Sequence, residues 1–127
     1  MIDAEYLVEL IIDDILEFHK ELPETLEGIR DYNLLESAVH APFQTFSEAE
    51  LFKTLEEKAA RLLYGLVKNH AFIDGNKRIA VHAAEVFLII NEVNMDYFVD
   101  DMEKLVMGIA SDELGFEDAL LFIREHT

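Results

Sequence analysis

The chain contains no cysteine. A disulfide framework, a thiolate metal site and a thiol nucleophile are therefore all excluded, and the composition suits a cytoplasmic protein. No apolar run approaches the roughly 18 residues that cross a bilayer, so no membrane span is expected. The first residues, Met1-Ile2-Asp3-Ala4-Glu5, are acidic where a secretory leader would be basic and then apolar, so no leader is expected. Basic residues are scarce: ten Lys and Arg stand against 27 Asp and Glu, a formal net charge of −17 at pH 7. A surface of that sign repels nucleic-acid phosphates and anionic lipid, so direct nucleic-acid binding and membrane binding are not expected. The acids are spread from end to end rather than gathered in a tail, as on the solvated shell of a folded domain. At 127 residues the chain reads as one domain, 1–127, large enough to bury roughly two-thirds of its unfolded surface.

What the chain does have is helical periodicity. Leu7, Leu10, Ile11, Ile15 and Phe18 form a stripe over residues 3–20, with Asp3 as N-cap and Leu22-Pro23 as the stop. Residues 24–30 read as a loop. The capping-box pattern Asn33-Leu34-Leu35-Glu36 predicts a short helix through Val39, ended by Pro42. The aromatics Phe43 and Phe46 then fall in a loop, either packed on the body or forming a lid or target-binding flap. Ser47-Glu48-Ala49-Glu50 is a second capping-box pattern and predicts a long helix from Leu51 to Asn69. A fourth helix, from about Lys77 to Asn91, is apolar almost all round and belongs at the centre. Met95 to Val99 reads as a short extended piece, Asp100 as the cap of a fifth helix through Ala110, and residues 116–126 as a sixth. The expected fold is all-α, a compact bundle of about six helices.

The third and fourth helices are joined by His70-Ala71-Phe72-Ile73-Asp74-Gly75-Asn76-Lys77-Arg78. Lys77 and Arg78 fall in the first turn of the fourth helix, where the helix dipole disfavours a cation by roughly 0.3–1 kcal/mol each. In so acidic a chain the simplest compensation is an anion bound at that helix start, where backbone N–H groups already point outward. The joint therefore reads as a phosphate site. An imidazole at His70, with a free pKa near 6.5, suits a general base at neutral pH. Asp74 is a hard oxygen ligand of the kind that holds Mg²⁺ together with phosphate oxygens. Gly75 lets backbone approach a phosphate and adopt positive φ. Asn76 can bond across the turn or cap the helix, and Phe72 is expected to plug into the core. Base, metal ligand, anion hole and paired cations make a phosphoryl- or nucleotidyl-transfer site.

Residue by residue, a bland reading competes: Asp-Gly-Asn is an ordinary helix connector and Lys-Arg an ordinary surface pair. The combination favours chemistry. Other motifs fail. The joint is not a phosphate loop of the Walker type, which needs an earlier glycine and a preceding strand. A His70/Asp74 zinc site lacks further ligands, and the paired Glu-x-x-His of a di-iron bundle is absent. His82 and Glu85 read as a satisfied buried pair, although His82, four residues after Arg78, can face the same pocket. His19, His40 and His126 read as surface or packing residues.

The joint resembles the signature H-x-F-x-[DE]-[GA]-N-[KG]-R of the Fic/Doc superfamily. Lys77, where AMP-transferring Fic enzymes have glycine, resembles the Doc (death-on-curing) toxin branch of toxin–antitoxin systems. The likeness extends from about Gly28 through Gly28-Ile29-Arg30-Asp31, Leu35-Glu36-Ser37-Ala38, Pro42-Phe43-Gln44-Thr45-Phe46 and Phe87-Leu88-Ile89-Ile90-Asn91. The resemblance implies an ATP-using kinase that phosphorylates a translation elongation factor, arrests growth and is neutralised by a small Phd-like antitoxin. It implies His70 as catalytic base, Asp74 as Mg²⁺ ligand, and Gly75, Asn76, Lys77 and Arg78 as the phosphate-binding set. Ala71 departs from the proline common in Fic enzymes. Gly75 is the Fic-like choice where some Doc proteins have alanine, and it keeps a second reading open, AMP or other nucleotidyl transfer. A catalytically silent partner-binding domain is a third. The inhibitory pattern [ST]-x-x-x-E-[GN] does not occur, so control is expected to come in trans.

Overall fold

The computed structural model describes residues 3–127; Met1 and Ile2, part of the acidic start, lie outside the described residues. The chain forms α1 (Ala4–Lys20), α2 (Tyr32–His40), a 3-10 turn (Ala41–Phe43), a two-stranded hairpin of β1 (Thr45–Phe46) and β2 (Ala49–Glu50), α3 (Leu55–Asn69), α4 (Asn76–Ile90), α5 (Val99–Ala110) and α6 (Phe116–His126). The fold is all-α, with the six expected helices.

Their starts differ from expectation where local chemistry offered two solutions. Asp3 caps α1 as read, its carboxylate accepting from Glu5 N–H at 3.4 Å. The cap of α2 is Asp31, not Asn33. Asp31 is held extended (φ −154°, ψ 105°) by its N–H bond to the Ala71 carbonyl, and its carboxylate accepts from Leu34 N–H at 3.2 Å. The Ser47–Glu50 pattern does not start a helix. Ser47 and Glu48 take positive φ (50° and 68°) as the two-residue turn of the hairpin, in the register Thr45↔Glu50 and Phe46↔Ala49. The working capping box is Thr54–Glu57: Thr54 Oγ1 accepts from Glu57 N–H at 3.0 Å, and Glu57 Oε1 accepts from Thr54 N–H at 3.3 Å. Helix α3 therefore begins at Leu55 rather than Leu51, and Leu51, 52% exposed, is no part of its apolar face. Residues 95–98 form no strand; Asp96 N–H instead donates to the His126 carbonyl at 2.9 Å. Phe98, not Asp100, occupies the cap position of α5.

α3 packs against α2, α4, α5 and α6 and buries Ala59, Ala60, Leu62, Leu63, Leu66 and Val67. α4 lies between α3 and α1 and buries Ile79, Ala80, Ala83, Ala84, Phe87 and Leu88, its alanines letting the neighbouring backbones approach. α1 contributes Leu7, Val8, Ile11, Ile12 and Ile15. The two loop aromatics part company. Phe43 packs edge-on against Phe87 (6.0 Å), while Phe46 is 74% exposed on the hairpin. That hairpin is fastened to the first turns of α3 by Lys58, whose ammonium lies 3.3 Å from Glu50 and also donates to the Phe52 carbonyl. A 15-residue helix is about 22 Å long, so the hairpin is fastened near the end of α3 opposite to His70. No helix among the described residues is long and apolar enough to cross a membrane.

Candidate active site

Helix α3 stops because His70 turns left-handed (φ 50°, ψ 52°). Its orphaned last carbonyls find a partner in Arg30, whose Nε donates to His70 O at 2.7 Å and Nη2 to Asn69 O at 3.0 Å. The next residues run as one edge of a short ribbon. Ala71 O accepts from Arg30 and Asp31 N–H (2.7 and 3.0 Å), Ile73 N–H donates to Gly28 O (3.1 Å), and Ile29 bridges Phe72 in antiparallel sense. Phe72 is buried, as expected. Asn76, itself buried, clamps it: Asn76 Oδ1 accepts from Phe72 N–H at 2.9 Å and Nδ2 donates to Phe72 O at 2.8 Å.

The Asp74 carboxylate accepts from Leu26 N–H at Oδ2 (3.1 Å) and Gly75 N–H at Oδ1 (2.8 Å). These two bonds, with smaller help from the Arg78 and His19 charges, hold its pKa below the ordinary value of 3.8 despite some desolvation. Gly75 sits at φ +83°, in the left-handed region, and precedes α4 without a side-chain cap. The first helical bond runs from Ile79 N–H to Gly75 O (3.0 Å), so the N–H groups of Asn76, Lys77 and Arg78 lie before the helical ladder begins.

This helix start opens on a cavity of about 570 Å³ between α4, α5 and α1. Asp74, Gly75, Asn76, Lys77 and Arg78 line one end, and the remainder runs along α4 past Val81 and His82 to Glu85 and Tyr97. His70 does not line it; it is exposed on the α3 side of the loop. The Asn76 side chain is fully engaged by Phe72, so what Asn76 offers to a phosphate is its backbone N–H. The cations differ. Lys77 is exposed at the cavity mouth, whereas Arg78 reaches the α1–α2 connection, donating from Nη2 to Thr25 Oγ1 at 2.7 Å and from Nη1 to Pro23 O at 3.4 Å.

His82 does face the cavity, but it is not paired with Glu85. Its Nε2 lies 2.6 Å from Asp14 Oδ2 and its ring stacks flat on Phe18 at 3.7 Å. Glu85 instead accepts from the Tyr97 hydroxyl, and burial together with that carboxylate pushes the Tyr97 phenol well above its usual range, so it stays a donor. One residue was missed as part of the site. His19 is 5% exposed, stacks on Phe72 at 4.2 Å and sends Nε2 to the Asp74 carbonyl at 2.8 Å. Its signal was its spacing: Leu7, Ile11, Ile15 and His19 recur every four residues along the buried stripe of α1.

No group of three or more His, Asp or Glu suited to holding a metal occurs among the described residues. Asp74 alone fits Mg²⁺ in one setting. It is ionised, each oxygen receives a single N–H, and Mg²⁺ is commonly held by one carboxylate plus substrate phosphates.

These features define a class: an all-α domain whose uncapped, cationic helix start opens on a cavity of small-molecule size. Residues 9–88 match the Fic/DOC family. The protein named Toxin Doc from Mycolicibacterium smegmatis is 45% identical over 91 residues, 70% of this chain and 70% of that one. The chain belongs to the Fic/Doc family.

Proposed function

We propose that this chain is the toxin of a toxin–antitoxin pair and acts as an ATP-dependent protein kinase. It would transfer the γ-phosphoryl group to a hydroxyl of a translation elongation factor and so arrest growth. The observation that carries the reading is the α4 start, with three N–H groups ahead of the helical ladder and Lys77 and Arg78 at one end of a 570 Å³ cavity. The similarity to Toxin Doc supports the toxin role and an antitoxin partner; a small Phd-like antitoxin and the elongation-factor target rest on the family resemblance. The work sits in the cytoplasm, where ATP and translation are.

The phosphates of ATP would lie against the N–H groups of residues 76–78, with the nucleoside in the apolar length of the cavity. Lys77 and Arg78 would balance phosphate charge, Arg78 exchanging its bonds to Thr25 and Pro23 for phosphate oxygens. Gly75 leaves the approach free of a Cβ. Mg²⁺, held by Asp74 and the phosphates, would neutralise charge on the transferring group. His70, free of the cavity wall and exposed, would take the proton of the incoming hydroxyl as its oxygen bonds to the γ-phosphorus and ADP leaves.

Two variants test this. His70→Ala should abolish transfer and leave Mg·ATP binding within about twofold of wild type, because the base acts on the acceptor. Arg78→Ala should weaken Mg·ATP binding tenfold or more at low salt, read by titration calorimetry. Full activity in His70→Ala would remove the base, and identical titrations for wild type and Arg78→Ala would remove the phosphate site.

A further inference from the structure

The peptide between Asp74 and Gly75 is the hinge of the whole anion site. Its N–H is bonded to the Asp74 carboxylate, its carbonyl, on the opposite side of the peptide, is bonded to His19, and the three N–H groups of residues 76–78 follow directly. Glycine at position 75 makes this peptide easy to flip, since glycine accepts φ of either sign at little cost. A flip would reverse the peptide dipole, releasing the Asp74 carboxylate from the Gly75 N–H and turning a carbonyl oxygen toward the phosphate site. Among the described residues that carbonyl has a single hydrogen-bond partner: His19 Nε2 at 2.8 Å, from a helix 55 residues upstream. A carbonyl can only accept, so Nε2 is the protonated nitrogen. The imidazole cannot swing away, because it is buried, stacked on Phe72 at 4.2 Å and 24°, and has its Cδ2 3.6 Å from where a Gly75 Cβ would stand. Phe72 is in turn clamped by Asn76.

We infer that His19 is a positioning residue that locks the Asp74–Gly75 peptide in the orientation competent to bind phosphate. The inference deepens the proposed function and rests on it for the identity of the ligand. The lock itself is a property of the free protein. If the competent orientation falls to a tenth of the population without His19, the apparent dissociation constant rises about tenfold.

The test pairs His19→Phe, which keeps an aromatic stack but loses the donor, with His19→Gln, which keeps an N–H donor but loses the ring. Mg·ATP titration of the full chain should show about tenfold weaker binding for His19→Phe and recovery to within about threefold for His19→Gln. Without nucleotide, the Gly75 amide resonance should shift or split in His19→Phe and return toward its wild-type position in His19→Gln. A pure packing role predicts the reverse order, with the aromatic variant nearer wild type; that result overturns the lock. Should His19→Phe fail to fold, nitrogen shifts of the wild-type imidazole decide: a ring protonated at Nδ1 alone overturns the lock, and a proton on Nε2 supports it. If wild type binds no Mg·ATP, the kinase reading falls, and the Gly75 amide resonance still decides the role of His19.

Discussion

A buried amide that donates to and accepts from the same residue's backbone fixes that residue's orientation, and Asn76 does this to Phe72 at 2.8 and 2.9 Å. Removing it leaves two buried backbone groups without partners, at about 1–3 kcal/mol each. Asn76→Ala should therefore lower unfolding free energy by roughly 2–4 kcal/mol in urea titration; a loss below about 0.5 kcal/mol would show the clamp to be idle. Asp74 gives a pH signature. Its folded-state pKa lies below the ordinary 3.8 because Leu26 and Gly75 N–H groups favour the carboxylate. Its stabilising contribution is thus present above the unfolded value and lost as pH falls through the lower folded value. The stability difference between wild type and Asp74→Asn should be full above the ordinary carboxylate value of 3.8 and shrink as pH falls below it; a difference that grows on acidification would reverse the sign. At this scale the sequence was readable wherever one residue type dictates one local structure: the positive φ of Gly75 and the burial of Phe72. It was not readable for His19, Thr25 and Arg30, whose roles exist only because α1 and the following loop fold back across the joint.

Helices whose starts are set by a reciprocal side-chain box lose about 1 kcal/mol when its hydroxyl is removed. Thr54 and Ser47 provide a matched pair. Thr54→Ala should destabilise the protein by about 1 kcal/mol, and Ser47→Ala should change it by less than about 0.5 kcal/mol, because Ser47 turns a hairpin and caps nothing. Equal losses would put the α3 start back at Leu51. The two patterns read alike in sequence, each a hydroxyl three residues before a glutamate. What separates them is downstream: after Thr54 the apolar periodicity runs unbroken to Val67, while after Ser47 it is interrupted by Lys53 and Thr54. The Asn33 cap failed for a related reason, since Asp31 is drawn into the ribbon with Ala71, a contact between segments 40 residues apart. The helices themselves were legible because their stripes are long; the ribbon beside the joint was not, because its strands are three residues of mixed character.

On the scale of the molecule, ten cations serve 127 residues, and most of those near the joint are spent internally. Arg30 closes the end of α3, Lys68 pairs with Asp112 and Arg78 bonds to Thr25 and Pro23, while Lys77 stands exposed at the cavity mouth. Under the proposed function, Lys77 is thus the charge that would decide how a nucleotide enters. Its stem, if turned toward the α4 start, would fill the space that inner phosphates would occupy and leave the terminal phosphate to face His70, the arrangement for γ-phosphoryl transfer. A glycine there would let the α-phosphate settle against the helix, which gives AMP transfer. The most direct measurement of the central claim is therefore double labelling: purified protein, Mg²⁺ and an elongation factor, with ATP labelled at the γ-phosphorus in one reaction and at the α-phosphorus in the other. The account predicts label on the target from γ-labelled ATP alone, lost in Lys77→Gly; label from α-labelled ATP alone would contradict it and assign the chain to nucleotidyl transfer.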